Sequence, residues 1–200
     1  MSPVHRCRWP GEDPQYVRYH DEEWGVPIHD DKDLYAKLVL DGFQAGLSWI
    51  TILRKREAFL EAFDQLDPCI VRTYDENDIQ RLLADRSIVR SRAKIEAAIS
   101  NAGIWMTIME DGPGAFSDLL WSFTGHETLV NTYERETDIP TRTEQSEDMS
   151  KSLRRLGWKF AGPTICYAFM QAVGMVNDHV TSCFRHPELS CRDPQGEAPE

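Results

Sequence analysis

PTICYAFMQAVG, residues 163–174, is apolar on every side of the helix it would form, and Gln171 is its one strongly polar side chain. Pro163 suits a first helical position, where a missing N–H costs nothing, and Gly174 suits a stop. A segment without a wet face belongs inside, so the spacing predicts the central helix of the core here. Just upstream, Met149, Leu153 and Leu156 recur at i, i+4 and i+7 ahead of Gly157, which predicts an amphipathic helix over about 145–156. Earlier still, Gly112-Pro113-Gly114 breaks the chain before an aromatic helix with Phe116, Leu119, Leu120 and Phe123.

The N-terminal half reads the same way. Asp31 can cap a helix through Leu34, Leu38 and Val39, interrupted by Gly42 and Gly46. Ser48 can cap the next, whose apolar face holds Trp49, Ile52, Leu53, Phe59 and Phe63, up to Asp67-Pro68. Asp75 or Asn77 opens a short helix with Ile79, Leu82 and Leu83. A turn at Arg86-Ser87 leads into a longer one with Ile95, Ala98, Ile99, Ala102 and Trp105, so the two form a helical hairpin. No run alternates as a strand would, and the expected fold class is all-α. Residues 125–148 are polar and threonine-rich and read as a long connection, while the tail from 186 to 200 reads as disordered. Residues 1–185 are then one domain, or two helical lobes sharing a groove.

With 41% hydrophobic residues in a 200-residue chain, there is enough apolar matter for such a core. No apolar stretch is long enough for a membrane span, and the N-terminus lacks a signal-peptide core, so a cytoplasmic location without a membrane partner is expected. Five cysteines at irregular spacing argue against a disulfide framework. A net charge of −11 opposes nucleic-acid binding. Yet Arg86, Arg90, Arg92 and Lys94 crowd into the hairpin, and either a solvated helix face or a phosphate-binding patch fits that cluster.

Two constellations carry chemistry. Cys7 and His20 lie near one end, His179 and Cys183 near the other, and the last two, four apart, project from one face of a helical turn. They make a zinc-type Cys2His2 set, or else buried thiols and surface histidines. Trp9, Tyr16, Tyr19, Trp24 and Trp49 supply flat surfaces, and Asp41 is an acid in an apolar helix. Such a mixture suits an extruded purine, although rings at these positions also suit a plain core, Trp24 especially. Lys37 and Lys55 read as members of charged helix faces, which leaves the pocket segments without a lysine nucleophile.

Six colinear motifs then stand out: RCRWP, YHDEEWGVP, GFQAGLSWITILRKRE, IVRSRAKI, GWKFAGPTICYAFMQA and GMVNDHV. Over about residues 5–185 they resemble 3-methyladenine DNA glycosylase I, of the helix-hairpin-helix glycosylase superfamily. The resemblance implies one structural zinc per chain on Cys7, His20, His179 and Cys183, joining the two terminal segments. It implies a base pocket from Trp9, Tyr16, Tyr19 and Trp49, with Asp41 as the carboxylate that recognises adenine. Family members usually carry Glu there, one methylene longer. The hairpin of Arg86, Ser87, Arg90, Arg92 and Lys94 becomes the DNA contact, without the glycines common in such turns. The implied activity is hydrolytic release of 3-methyladenine from double-stranded DNA containing alkylated adenine, by a monomer that leaves an abasic site. A zinc-binding module without activity, and a zinc hydrolase with a water ligand, are the competing readings. The intact aromatic set opposes the first and the complete ligand set the second.

Overall fold

The computed structural model describes residues 4–190, and in that span the regular structure is helical apart from one two-residue ladder. In order, the helices are α1 (Pro14–Glu22), α2 (Asp31–Gln44), α3 (Trp49–Leu53), α4 (Arg56–Ala62), α5 (Pro68–Val71) and α6 (Glu76–Ala84). There follow α7 (Arg92–Ile108), α8 (Ala115–Trp121), α9 (Glu144–Arg155), α10 (Pro163–Ala172) and α11 (Arg185–Ser190). The fold is the mostly helical one expected.

α2 lies at the centre, packed on α10, α7 and α8, while α9 covers α10. Phe43, Phe59, Phe63, Phe116 and Phe169 are fully buried between them. At roughly 1.5–3 kcal/mol for each such side chain, their burial is the main drive for these helices to pack. A smaller apolar cluster of Cys7, Tyr19, Trp24, Leu53, Val180 and Cys183 joins the terminal segments, and Trp49 packs against both clusters.

Several local expectations change. Asp30, not Asp31, caps α2, accepting from the N–H groups of Lys32 and Asp33 at 2.9 and 3.0 Å. Asp31 is thereby free to cap another helix: its carboxylate accepts from Gly114 N and Ser117 N at 2.7 and 2.8 Å, at the start of α8. Gly42 does not interrupt α2, and a Cβ on it would stand 3.3 Å from the Cβ of Phe160, so the glycine serves close packing. The helix expected from Ser48 to Leu66 is broken at Arg54-Lys55, and Ser48 makes no side-chain cap bond. Asp75 does open α6, in a capping box with Asp78.

The 125–148 connection is not loose. Leu129–Val130 (β1) pairs in parallel with Val176–Asn177 (β2), too short a ladder for any alternation to announce it. Nor is the start of the tail disordered. Residues 185–190 form α11, with Leu189 buried and Asn177 Nδ2 donating to His186 O and Ser190 Oγ at 3.0 and 3.1 Å. A polar composition conceals this helix because one leucine and one buried asparagine hold it. The rest of that expected tail, 191–200, lies outside the described residues. No helix among the described residues is long and apolar enough to cross a membrane.

Candidate functional site

Three regions hold the residues singled out above, and the first joins the chain termini. Cys7, His20, His179 and Cys183 are all buried, with their ligand atoms within 4.8 Å of one another. Cys183 Sγ lies 3.5 Å from both His20 Nε2 and His179 Nδ1, and Cys7 Sγ 3.7 Å from His179 Nδ1. The other nitrogen of each imidazole meets an oxygen: His20 Nδ1 is 2.8 Å from Asp21 Oδ1, and His179 Nε2 is 3.1 Å from the Trp24 carbonyl. Asp21 is in turn gripped by Arg6 at 2.8–2.9 Å. Two soft sulfurs, two imidazoles with oriented rings and no water-facing member make a donor set that fits zinc in a structural role.

The segment carrying His179 is set by Asp178, which accepts from Asn131 Nδ2, Gln171 Nε2 and the Tyr167 hydroxyl at 2.6–2.8 Å. Gly174, at φ +76°, lets this segment pass against Gly25 and Pro27.

The second region is a cavity of about 350 Å³ beside this cluster. Trp9, Tyr16, Tyr19, Trp24 and Trp49 wall it, Lys37 and Asp41 lie at its α2 side, and Gln44, Gln171 and Glu136 add polar groups. The rings brace one another, Trp9 and Tyr16 with centroids 4.7 Å apart and Tyr19 and Trp49 with centroids 5.5 Å apart. Asp13 caps α1 from Pro14 onward and takes Arg54 Nη2 at 2.5 Å, which fixes the helix presenting Tyr16, Tyr19 and His20. Trp24, readable as core, both lines the cavity and supplies the carbonyl on His179.

Asp41 is 1% exposed. Its Oδ1 accepts from Lys37 Nζ at 2.5 Å, whereas its Oδ2 has no hydrogen-bond partner among the described residues. The indole N–H groups of Trp9 and Trp49 are likewise buried and unpartnered. Burial pushes the Asp41 carboxyl upward and the Lys37 charge draws it back; burial pushes the Lys37 amine down.

This corrects the sequence expectation for Lys37, which is not on a charged face. It lies in the cavity, with Nζ 4.0 Å above the ring of Trp49. One turn of helix separates Lys37 from Asp41, so the i, i+4 spacing was visible; that both point inward was not. Lys55 is also committed, donating to the carbonyls of Ser87 at 2.7 Å and Arg86 at 3.4 Å.

The third region is the turn between α6 and α7. Arg86, Ser87 and Arg90 are exposed there, and no ion pair among the described residues includes either arginine. Asp85 orders the turn by accepting from Ser87 N at 2.8 Å and Ser87 Oγ at 2.6 Å. Arg92 instead grips Glu76 at 2.6 and 3.0 Å and Glu96 at 3.2 Å. Lys94 turns inward, donating to the Phe43 and Ala45 carbonyls at 2.8 and 2.7 Å, where it closes the C-terminal end of α2. The basic cluster thus divides into free and committed members.

The fold is that of the helical DNA glycosylases. A solved structure of 3-methyladenine DNA glycosylase I from Staphylococcus aureus, described as giving the structural basis of 3-methyladenine recognition, matches with a TM-score of 0.87 and 37% identity, covering 91% of this chain and 96% of that one. The model of the family described as methyladenine glycosylase matches residues 9–186, and the chain belongs to that family. It is similar to DNA-3-methyladenine glycosylase 1 of Escherichia coli K12, 47% identical over 92% of this chain and 98% of that protein. It is also similar to DNA-3-methyladenine glycosylase of Haemophilus influenzae, 44% identical over 89% and 96%.

Proposed function

We propose that this protein hydrolytically excises 3-methyladenine from alkylated double-stranded DNA in base excision repair, releasing the free base and leaving an abasic site. The observation that carries the reading is a ring-walled cavity with a buried carboxylate whose second oxygen is unpartnered. A base extruded from the duplex stacks among Trp9, Tyr16, Tyr19 and Trp49, while Asp41 Oδ2 accepts the N–H edge that marks adenine. An alkylated adenine in DNA is cationic and already weakly bonded to its sugar. Its departure therefore needs orientation and charge complementarity more than acid catalysis. The aspartate is shorter than the glutamate usual in this family, so the base must sit deeper on the α2 side or reach the acid through a water.

Hydrolysis without strand cleavage is supported by the commitment of Lys37 Nζ to Asp41 and Trp49. DNA contact is assigned to a helix-hairpin-helix formed by α6, the 85–91 turn and α7. Arg86, Ser87 and Arg90 meet phosphate directly, and Arg92 does so only on release from Glu76 and Glu96. Cys7, His20, His179 and Cys183 would hold one structural zinc. When bound, that zinc crosslinks residues far apart in sequence and takes no part in the reaction. The reading takes the protein as a monomer acting on DNA in a bacterial cytoplasm; that the similar glycosylases are from bacteria supports the setting.

Base release from methylated duplex DNA tests the reading. Free 3-methyladenine appearing with purified protein supports it, and its absence at full folding overturns it. Borohydride trapping on the same DNA reports any amine-linked strand cleavage, and the expected result is no covalent complex.

A further inference from the structure

We infer that Lys37 is a positioning residue for the base pocket: it clamps one oxygen of Asp41, keeps the carboxylate charged in apolar surroundings, and leaves the other oxygen to the base. The inference rests on the reading of the cavity as a base site, but the role of Lys37 toward Asp41 can be tested without any excision.

The geometry is unlike a surface pair one turn apart, which is worth little and leaves both groups in water. Here the Asp41 side chain is 1% and the Lys37 side chain 13% exposed. Nζ is fixed from two directions, by Oδ1 at 2.5 Å and by the face of Trp49 at 4.0 Å. Oδ2 is left without a hydrogen-bond partner among the described residues.

Polarity is at stake as well as position. A lone carboxylic acid walled by aromatic rings tends to take up a proton, because burial disfavours the charged form. A protonated acid presents an O–H donor, whereas the exocyclic amino group of an adenine requires an acceptor. An adjacent ammonium opposes that effect and favours the charged form, in which both oxygens are acceptors. The other titratable groups nearby do not supply this charge. Arg56 and Glu23 are engaged with each other at 3.0 Å. Tyr16 and Tyr19 carry phenols that burial keeps protonated, as it does the Cys166 thiol at about 12. Glu136, at the cavity wall, carries the wrong sign.

Lys37→Met keeps chain length and removes the charge. In the full-length protein, the Asp41 carboxyl resonance followed by carbon NMR should titrate at a midpoint about one pH unit higher, or more, than in wild type. Binding of free 3-methyladenine should weaken about tenfold on the acid side of that midpoint and recover as pH rises. Lys37→Arg, which restores a cation, should return the profile toward wild type. Lys37→Met combined with Asp41→Asn should bind no worse than Asp41→Asn alone. A folded Lys37→Met protein with an unchanged Asp41 midpoint and unchanged base affinity would overturn the assignment. Should that variant fail to fold, the wild type still decides: the Lys37 amine nitrogen must shift at the Asp41 midpoint and the Asp41 carbon at the Lys37 midpoint, and resonances that each report only their own group would refute the pairing. Absence of base release by wild type would remove the proposed function yet leave this titration test standing.

Discussion

A Cβ built on Gly174 would stand 2.5 Å from the backbone nitrogen of Pro27, a distance that only glycine permits. Gly174 also has φ +76°, and a side chain there is strained before any contact is counted. The close passage holds residues 24–27 against the start of β2, and thus the Trp24 carbonyl against His179. Gly174→Ala should therefore cost about 2 kcal/mol or more and loosen the Cys/His cluster. Urea unfolding measures the first effect and metal content the second; an unchanged midpoint would contradict the packing argument.

One tightly held zinc per chain is expected, and its removal by a chelator should lower the melting temperature. Cys183→Ser should lose both the metal and much of the stability, because a closed set missing one ligand cannot clamp residues 7–20 to 179–183. Cys166→Ser is the control: that thiol is buried, donates to the Ala161 carbonyl and lies outside the Cys/His cluster, so zinc content should stay at one. Equal metal content in Cys183→Ser and wild type would remove the clamp.

Asp41→Asn should strongly reduce excision, but it will not be structurally silent, as size and sequence alone would suggest. It strands the Lys37 ammonium, and breaking a buried pair costs about 3–5 kcal/mol unless the amine gives up its proton. Since the folded pKa of Lys37 lies below its unfolded value, the unfolded state binds more protons between the two, and stability of the variant should rise with pH there. Adding Lys37→Met should flatten that slope. Melting over a pH series reads both, and full excision by Asp41→Asn would take the residue out of the mechanism.

Arg90→Ala and Arg86→Ala should each weaken DNA binding across sequences and reduce its salt dependence, whereas Arg92→Ala should do less, because Glu76 already neutralises that guanidinium. Glu76→Gln combined with Glu96→Gln is expected to do the reverse, freeing Arg92 from both carboxylates and tightening non-specific binding. Fluorescence anisotropy over a salt series is the measurement, and equal losses for all three arginines would refute the division.

The same pair has an acid signature. Arg92 holds Glu76 at about 2, below its ordinary value. The pair's contribution is complete above the ordinary carboxylate range and is lost as pH falls toward that value. Acid unfolding of wild type and Glu76→Gln should differ near neutrality and converge toward pH 2. Parallel curves would mean that the contact is not formed in solution.

By itself, the sequence determined most of the longer helices, though not α1 or α11, and the residues worth watching. Apolar spacing, Pro163 and the Asp75 cap are local signals, since an α-helix makes its hydrogen bonds within four residues. The resemblance carried by the six colinear motifs named the four Cys and His side chains that the fold gathers within 4.8 Å, and the rings that wall one cavity. Tertiary structure alone decided how each charge is used. Lys37 and Asp41 share a helix face in any register, but only the packing of α2 beneath Trp49 turns that face inward. Arg92 and Lys94 belong to one basic run, yet the first meets Glu76 sixteen residues away and the second caps α2 some fifty residues away. A charge takes its partner from whatever the fold brings within a few ångströms, and periodicity along the chain carries no record of that distance.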